Sequence, residues 1–162
     1  MKFINVSPDD YPELIDLNES CVPHVNSIGI DDLVAFQANA FCFNKLSDSH
    51  NRLGGFVIAL QPGESYHSSN YRWFERKYET FVYIDRMMIH PDFRRRGLAL
   101  QIYQELEQLA RAATIPRLCC EVNLDPPNPA SHQLHQQLGF ESVGTRKTEN
   151  DSKQVDMLVK RL

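Results

Sequence analysis

The sequence lacks any apolar run that approaches the about 20 residues a membrane-spanning helix requires, although 42% of its residues are hydrophobic. Its first segment, Met1–Pro8, reaches a proline and is followed by Asp9 and Asp10, where a signal peptide needs an uninterrupted apolar core. Together these features predict a cytoplasmic protein without a membrane partner.

Basic charge is also scarce. The chain has 17 Lys and Arg against 21 Asp and Glu, which leaves a formal net charge of −4 at pH 7. A nucleic-acid partner requires a basic face that neutralises phosphates. The composition therefore predicts no nucleic-acid partner, although it is compatible with a local basic site.

Cysteine is limited to four residues, and none of them forms a C-x-x-C pair. Cys119 and Cys120 are adjacent and would point to opposite faces of a strand. We interpret all four as reduced thiols packed as small hydrophobes, with a nucleophilic cysteine as the alternative. His132 and His135 lie three residues apart on a predicted helix, but a pair without a third nearby ligand predicts no metal site.

Two glycine-rich phosphate motifs are missing as well. The chain has neither G-x-G-x-x-G nor a Gly-Lys-Ser/Thr element. Their absence argues against dinucleotide binding and against P-loop chemistry. A phosphate-binding α/β domain of another kind stays open on this evidence.

What the chain does have is the length and pattern of one mixed α/β domain. Its 162 residues fit a single domain that buries about 68–70% of the surface of its unfolded chain. The element order β, α, α, strands, then β-α-β-α-β-β indicates about four helices around one mixed sheet of about six to seven strands. The predicted strands are Lys2–Val6, Arg52–Leu60, Phe81–Ile89, Arg117–Asn123, Phe140–Thr145 and Gln154–Lys160. The predicted helices are Tyr11–Asn18, one from Asp31, Leu98–Ala113 and Ala130–Leu138, while Ala40–Leu46 fits either a helix end or a strand start.

The connection Glu64–Glu79 is long for a link between two strands. It carries several aromatic residues among polar ones, and these include Trp73 and Phe74. One interpretation is a flap whose aromatic side chains cover the sheet. The other is a loop that lines a substrate site, because long loops in compact domains often carry function.

The segment Ile89–Ala99 joins a predicted strand to a predicted amphipathic helix through three consecutive arginines and Gly97. The first N–H groups of a helix have no internal partner and lie at the positive end of its dipole, so they bind phosphate readily. Gly97 has no Cβ and allows close approach of a ligand, while Arg94–Arg96 add positive charge. We interpret the segment as a pyrophosphate-binding turn; the alternative is a solvated basic turn.

The sequence Arg94-Arg95-Arg96-Gly97-Leu98-Ala99 resembles the Arg/Gln-x-x-Gly-x-Gly/Ala motif of the GCN5-related N-acetyltransferases (GNAT). Ile89-His90-Pro91 is similar to the family's Val-x-Pro, and Leu134–Phe140 is similar to its Leu-Tyr-x-x-x-Gly-Phe. The resemblance is specific over Phe81–Gly144, whereas residues 1–80 match only in element order.

The resemblance implies a single GNAT-like domain with a substrate-facing half, 1–80, and an acetyl-CoA-binding half with a C-terminal hairpin, 81–162. It implies that acetyl-CoA lies in a V between the strand that ends at Ile89 and the strand Arg117–Asn123. Dimers are common in the family, so a homodimer is a candidate assembly. The implied cofactor-binding residues are Met87, Met88 and Ile89 for the pantetheine and thioester, Arg94, Arg95, Arg96, Gly97, Leu98 and Ala99 for the pyrophosphate, and Asn123, Asn128, Ser131 and His135 beside the cofactor arm.

The implied reaction needs a neutral amine, a stabilised oxyanion and a proton for the departing thiolate. The family commonly supplies that proton from a Tyr, and His135 stands at the matching position here. An imidazole could donate the proton instead. The alternative is a histidine that packs on the cofactor without chemistry.

Asp85 is the first candidate for the base, or for an anchor of the substrate ammonium. It lies on the same face of its strand as Tyr83 and Met87, whereas Arg86 points to the other face and is not expected to be its partner. Glu121 is the second candidate base. A water chain without a dedicated base is also compatible with the sequence.

The leading hypothesis is an acetyl-CoA-dependent N-acetyltransferase. It would transfer the acetyl group by direct attack of a primary amine, on a small molecule or an amino terminus. The predicted substrate-binding residues are Asp85, Tyr83, Trp73 and Phe74. The alternative is a non-catalytic acyl-CoA-binding sensor or scaffold of the same fold.

Overall fold

The computed structural model describes residues 1–148 and 152–162. Over these residues the chain forms a mixed α/β fold with one seven-stranded sheet and five α-helices, which confirms the predicted fold class. The strands are β1 (Lys2–Asn5), β2 (Cys42–Ser47), β3 (Leu53–Leu60), β4 (Val82–Ile89), β5 (Arg117–Asp125), β6 (Glu141–Lys147) and β7 (Gln154–Arg161). The helices are α1 (Tyr11–Glu19), α2 (Ile30–Asn39), α3 (Ser69–Glu75), α4 (Leu98–Ala112) and α5 (Pro129–Gln137).

The strand order of the sheet is β1-β2-β3-β4-β5-β7-β6. β1 pairs with β2 and β2 with β3 in antiparallel register, and β7 lies antiparallel to both β5 and β6. β4 and β5 are parallel, with Val82 opposite Leu118 and Tyr83 opposite Cys119. Parallel neighbours need a crossover connection, and α4 provides it.

The chain divides into two compact units. Unit 1 comprises Met1–Leu60 and Ile84–Leu109, and unit 2 comprises Gln61–Tyr83 and Ala110–Leu162. Unit 1 is built on β3, in which all eight residues are buried. Unit 2 has an aromatic core whose fully enclosed rings are Tyr71, Phe74, Phe81 and Tyr83.

Helix α3 lies within the segment Glu64–Glu79, for which the sequence predicts a flap or a substrate-lining loop; neither interpretation included the helix. Ser68 caps the helix by accepting a hydrogen bond from the Tyr71 N–H. Tyr71 and Phe74 are three residues apart and therefore share one helix face, and both have no exposed surface. Burial of this aromatic face favours a helix over a loose flap. The undecided segment Ala40–Leu46 belongs mainly to β2.

The cysteines are all free thiols. Burial raises the pKa of Cys42 to about 12 and also raises the pKa of Cys119 and Cys120, so these three are protonated at neutral pH. They pack as small hydrophobes, as predicted, whereas Cys21 is partly exposed. Across the described ranges, no helix is long and apolar enough to span a membrane.

Adjacent glycines of β3 offer a test of how tightly β3 packs on β4 in unit 1. A Cβ on Gly55 would lie 2.3 Å from the backbone oxygen of Met88, whereas a Cβ on Gly54 would lie 2.3 Å from the flexible thioether sulfur of Met1. Backbone cannot move aside as a side-chain end can. We therefore expect Gly55→Ala to lower the free energy of unfolding by about 3 kcal/mol and Gly54→Ala by less than about 1 kcal/mol. Urea unfolding of both variants measures this, and equal losses would contradict the difference in packing.

Candidate active site

The turn between β4 and α4 lies in unit 1 and is shaped by its own residues. A short 3-10 segment, Pro91–Phe93, follows β4, and Phe93 is buried beneath the turn. The guanidinium groups of Arg52 and Arg96 lie 5.2 and 5.3 Å from the Phe93 ring centroid. The buried ring and the cations stacked on it hold the turn in place.

The same turn presents three exposed arginines, Arg94, Arg95 and Arg96, immediately before α4. Arg95 and Gly97 have positive φ values of 58° and 75°, so both residues adopt the left-handed backbone conformation that tightens a turn. A Cβ built on Gly97 would meet no described heavy atom within 4 Å. The start of α4 therefore has open space, N–H groups without helical partners and nearby positive charge, which suits a diphosphate.

Strand β4 alternates in accessibility as it approaches this turn. Met87 and Ile89 are half-buried, while Arg86 and Met88 are buried. The half-buried positions share one face of the strand. Leu98 is buried at the start of α4 and Ala99 is half-buried beside it.

Asp85 lies on β4 in an ion pair that the sequence did not predict. Arg86 Nε donates to Asp85 Oδ2 over 2.7 Å, and the two side chains are 7% and 5% exposed. Arg86 Nη1 also donates to Asn18 Oδ1 over 2.8 Å. The expectation that Arg86 would not be a partner was wrong, because its side chain is long enough to reach its neighbour despite starting on the opposite face. The base role of Asp85 stays a prediction, and it would require this carboxylate to leave a buried pair.

Glu121, on β5 in unit 2, accepts hydrogen bonds from the side chains of Asn70 and Tyr83. Asn70 Nδ2 donates to Glu121 Oε1 over 2.8 Å. The hydroxyl of Tyr83 lies 3.0 Å from Oε1 and 2.9 Å from Oε2. Tyr83 has no exposed surface, whereas Glu121 is half-buried. The carboxylate is therefore oriented and partly accessible, two properties that a base requires.

His135, on α5 in unit 2, is 6% exposed. Its Nδ1 lies 2.7 Å from the backbone oxygen of Ser131, and because a carbonyl can only accept, Nδ1 carries the proton. Burial lowers the pKa of His135, although the bond to Ser131 opposes that shift. At neutral pH the ring is therefore uncharged, with its lone pair on Nε2.

The predicted residues beside the cofactor arm form one hydrogen-bonded series. The backbone N–H of Asn128 donates to the Asn123 carbonyl over 3.1 Å. Asn128 caps α5 by accepting from the Ser131 N–H over 3.2 Å. The Ser131 carbonyl then accepts from His135. The structure thus brings these four residues together, and their contacts with a cofactor stay a prediction.

The predicted substrate-binding aromatics have different environments within unit 2. Phe74 has no exposed surface and packs against Phe81 and Tyr83. Trp73 is half-buried, and a Cβ on Gly144 would lie 3.4 Å from its ring. Their contacts with a substrate stay a prediction.

Two residues of this region were not predicted. Asn70 binds Glu121, and Arg146 Nη1 donates to Asn70 Oδ1 over 2.6 Å. They are 51 and 25 residues from Glu121 along the chain, so no local pattern in the sequence could have linked the three.

A family model described as the Acetyltransferase (GNAT) family matches residues 11–140. A comparison with curated proteins finds no significant match.

Among solved structures, Ard1 from Thermoplasma volcanium superposes with a TM-score of 0.80 at 13% identity, covering 99% of this chain and 97% of that one. The NatB acetyltransferase complex bound to CoA and MES contains a chain that superposes with a TM-score of 0.80 at 18% identity, covering 100% and 99%. The ribosomal-protein-S18-alanine N-acetyltransferase from Escherichia coli superposes at 0.71 and 15% identity, covering 99% and 92%. At these identities the likeness is one of fold.

Proposed function

This chain belongs to the GNAT family of acetyltransferases, and from that premise we propose that it transfers the acetyl group of acetyl-CoA to a primary amine. The acceptor is a small molecule or an amino terminus. Similarity in fold to an alanine N-acetyltransferase supports including amino termini among the acceptors to be tested.

The turn Arg94–Ala99 is the observation that carries the proposal. Its open space at Gly97, its exposed guanidinium groups and the start of α4 suit the diphosphate of acetyl-CoA. The backbone of Met87–Ile89 would hold the pantetheine. Asn123, Asn128, Ser131 and His135 remain cofactor contacts that the family resemblance implies.

In the proposed reaction the amine nitrogen bonds to the thioester carbonyl carbon, the C–S bond breaks, and one proton passes from nitrogen to base while the thiolate gains another. We propose Glu121 as the base, ahead of Asp85. Glu121 is oriented by Asn70 and Tyr83, whereas the Asp85 carboxylate is engaged by the Arg86 guanidinium.

The acid role of His135 has a physical cost. Because its pKa is lowered, the imidazolium that could protonate a thiolate forms only below the ordinary value of about 6.5. A substrate amine is increasingly protonated, and so less nucleophilic, in the same range. If His135 is the acid, kcat rises as the pH falls toward its folded-state pKa, and His135→Phe removes that rise.

The lowered pKa of His135 also supports a second candidate function, a non-catalytic acyl-CoA-binding sensor. A GNAT-like domain that binds acyl-CoA without turnover needs no proton donor beside the sulfur. At neutral pH the Nδ1 proton of His135 is directed to Ser131 rather than toward a ligand. The sensor role therefore has a specific observation in its favour.

One experiment separates these functions. Free-CoA release is measured with acetyl-CoA and a panel of spermidine, L-lysine, tryptamine and tripeptides with free amino termini, while calorimetry measures acetyl-CoA binding. Binding with turnover supports the transferase. Binding without turnover on every amine favours the sensor, and absence of binding overturns both.

His135 also predicts a pH dependence of stability. The pKa of His135 is lower in the folded protein than in the unfolded chain. The uncharged buried ring therefore contributes its full stabilisation above about pH 6.5, the pKa of an unfolded histidine, and this stabilisation is lost as the pH falls toward the folded-state pKa. We expect His135→Gln to flatten the fall in unfolding free energy over that window. The matched control is His67→Gln, which changes an exposed side chain. Parallel pH profiles for wild type and His135→Gln would contradict the effect of burial.

A further inference from the structure

The first turn of helix α3 is bound to the rest of unit 2 by side-chain hydrogen bonds. The Tyr71 hydroxyl donates to the Gln61 carbonyl over 2.6 Å, and the Tyr71 ring is fully enclosed. Arg146, on β6, donates to Ser69 Oγ over 2.9 Å. Side chains on this turn therefore have defined positions, unlike those of a mobile flap.

The side-chain amide of Asn70 has only one orientation compatible with its neighbours. Arg146 Nη1 lies 2.6 Å from Asn70 Oδ1, and a guanidinium can only donate. The amide oxygen must therefore face Arg146. The amide nitrogen then faces Glu121 Oε1, 2.8 Å away.

The Glu121 carboxylate is held from two directions by this arrangement. Asn70 donates from α3, and Tyr83 donates from β4 to both oxygens. The Tyr83 ring packs edge-on against Tyr71, with ring centroids 5.5 Å apart. Because the ring is enclosed, its hydroxyl is a fixed donor, and loss of Asn70 would remove the donor that approaches the carboxylate from α3.

We propose that Asn70 is a positioning residue that orients Glu121 for proton abstraction, and that Arg146 sets the orientation of Asn70. This inference rests on the proposed function, in which Glu121 accepts the proton of the amine. A base misplaced by about 1 Å costs a large factor in rate, and catalytic groups depend on neighbours that lock their rotamers. Helix α3 thus contributes to the reaction without touching the reacting atoms.

The test is a double-mutant cycle between Asn70→Ala and Glu121→Gln, with kcat and the KM for acetyl-CoA measured on the best amine of the panel. We expect Asn70→Ala to lower kcat on the order of 10-fold with KM unchanged. In the Glu121→Gln background the same change should have no further effect, because there is no base left to position. If Asn70 had a purely structural role, Asn70→Ala would lower kcat by the same factor in the wild-type and Glu121→Gln backgrounds.

Two further variants complete the test, one that removes only the hydrogen-bond donor and one that serves as a control. Asn70→Asp keeps an oxygen for Arg146 but removes the donor to Glu121, so it should lower kcat at least as much, even if Asn70→Ala proves unstable. Arg72→Met is the control, since Arg72 lies on the same helix, 45% exposed, and pairs with Glu75; its kcat should match wild type.

The outcomes are distinct. The positioning role would be overturned if Asn70→Ala and Asn70→Asp had wild-type kcat, or if the losses in the double-mutant cycle were additive. Either result would leave the proposed acetyltransferase activity unaffected. A wild-type protein that acetylates no amine in the panel would overturn the proposed function and the positioning role with it.

Discussion

Replacing Gly97 with Glu is expected to lower the affinity for acetyl-CoA on the order of 100-fold, or about 2.8 kcal/mol. The substitution places a side chain in the open space at the start of α4 and a negative charge where the diphosphate would bind. It also cancels part of the positive potential of Arg94–Arg96. Calorimetric titration with acetyl-CoA measures the loss.

Charge, bulk and backbone strain are separated by two controls. Gly97→Gln adds the same bulk and the same strain at φ 75° without the charge, and we expect a loss on the order of 10-fold. Gly63→Gln imposes comparable strain at φ 96°, also with open space around the new Cβ, and should bind acetyl-CoA like wild type. Normal binding by Gly97→Glu would place the diphosphate elsewhere.

Replacing Glu121 with Gln is expected to lower kcat by about 100-fold or more, because a positioned base contributes about 10²–10⁴-fold to such reactions. The amide cannot take the proton of the amine, yet its oxygen can still accept from Tyr83. We therefore expect unchanged acetyl-CoA affinity and an unfolding free energy close to wild type. Steady-state kinetics and urea unfolding measure the two quantities.

The matched variant is Asp85→Asn, which should behave in the opposite way. It leaves the buried Arg86 guanidinium without its carboxylate, and breaking such a pair costs about 3–5 kcal/mol. We expect the unfolding free energy to fall, while the molecules that remain folded keep a kcat close to that of wild type. A large fall in kcat for Asp85→Asn with wild-type kcat for Glu121→Gln would move the base to Asp85.

Much of the fold was predictable because it depends on local pattern. Helix α4 followed from apolar residues at helical spacing, and β3 and β5 from short apolar runs bounded by Gly, Pro and polar residues. Helix α3 was missed, although Tyr71 and Phe74 are at helical spacing. Polar residues between them obscured a face whose burial depends on Phe81 and Tyr83, which lie beyond the end of the helix.

The sequence by itself determined the turn from Ile89 to Ala99, because a strand, a glycine and the first turn of a helix are neighbours along the chain. Only the tertiary structure decided which acid is paired and which is oriented. The Asp85 partner depends on a guanidinium that also reaches Asn18. The Glu121 partners come from α3 and β4, and Arg146 of β6 holds Asn70 in turn. Contacts of that kind follow from packing of distant segments, so no local pattern of residues encodes them.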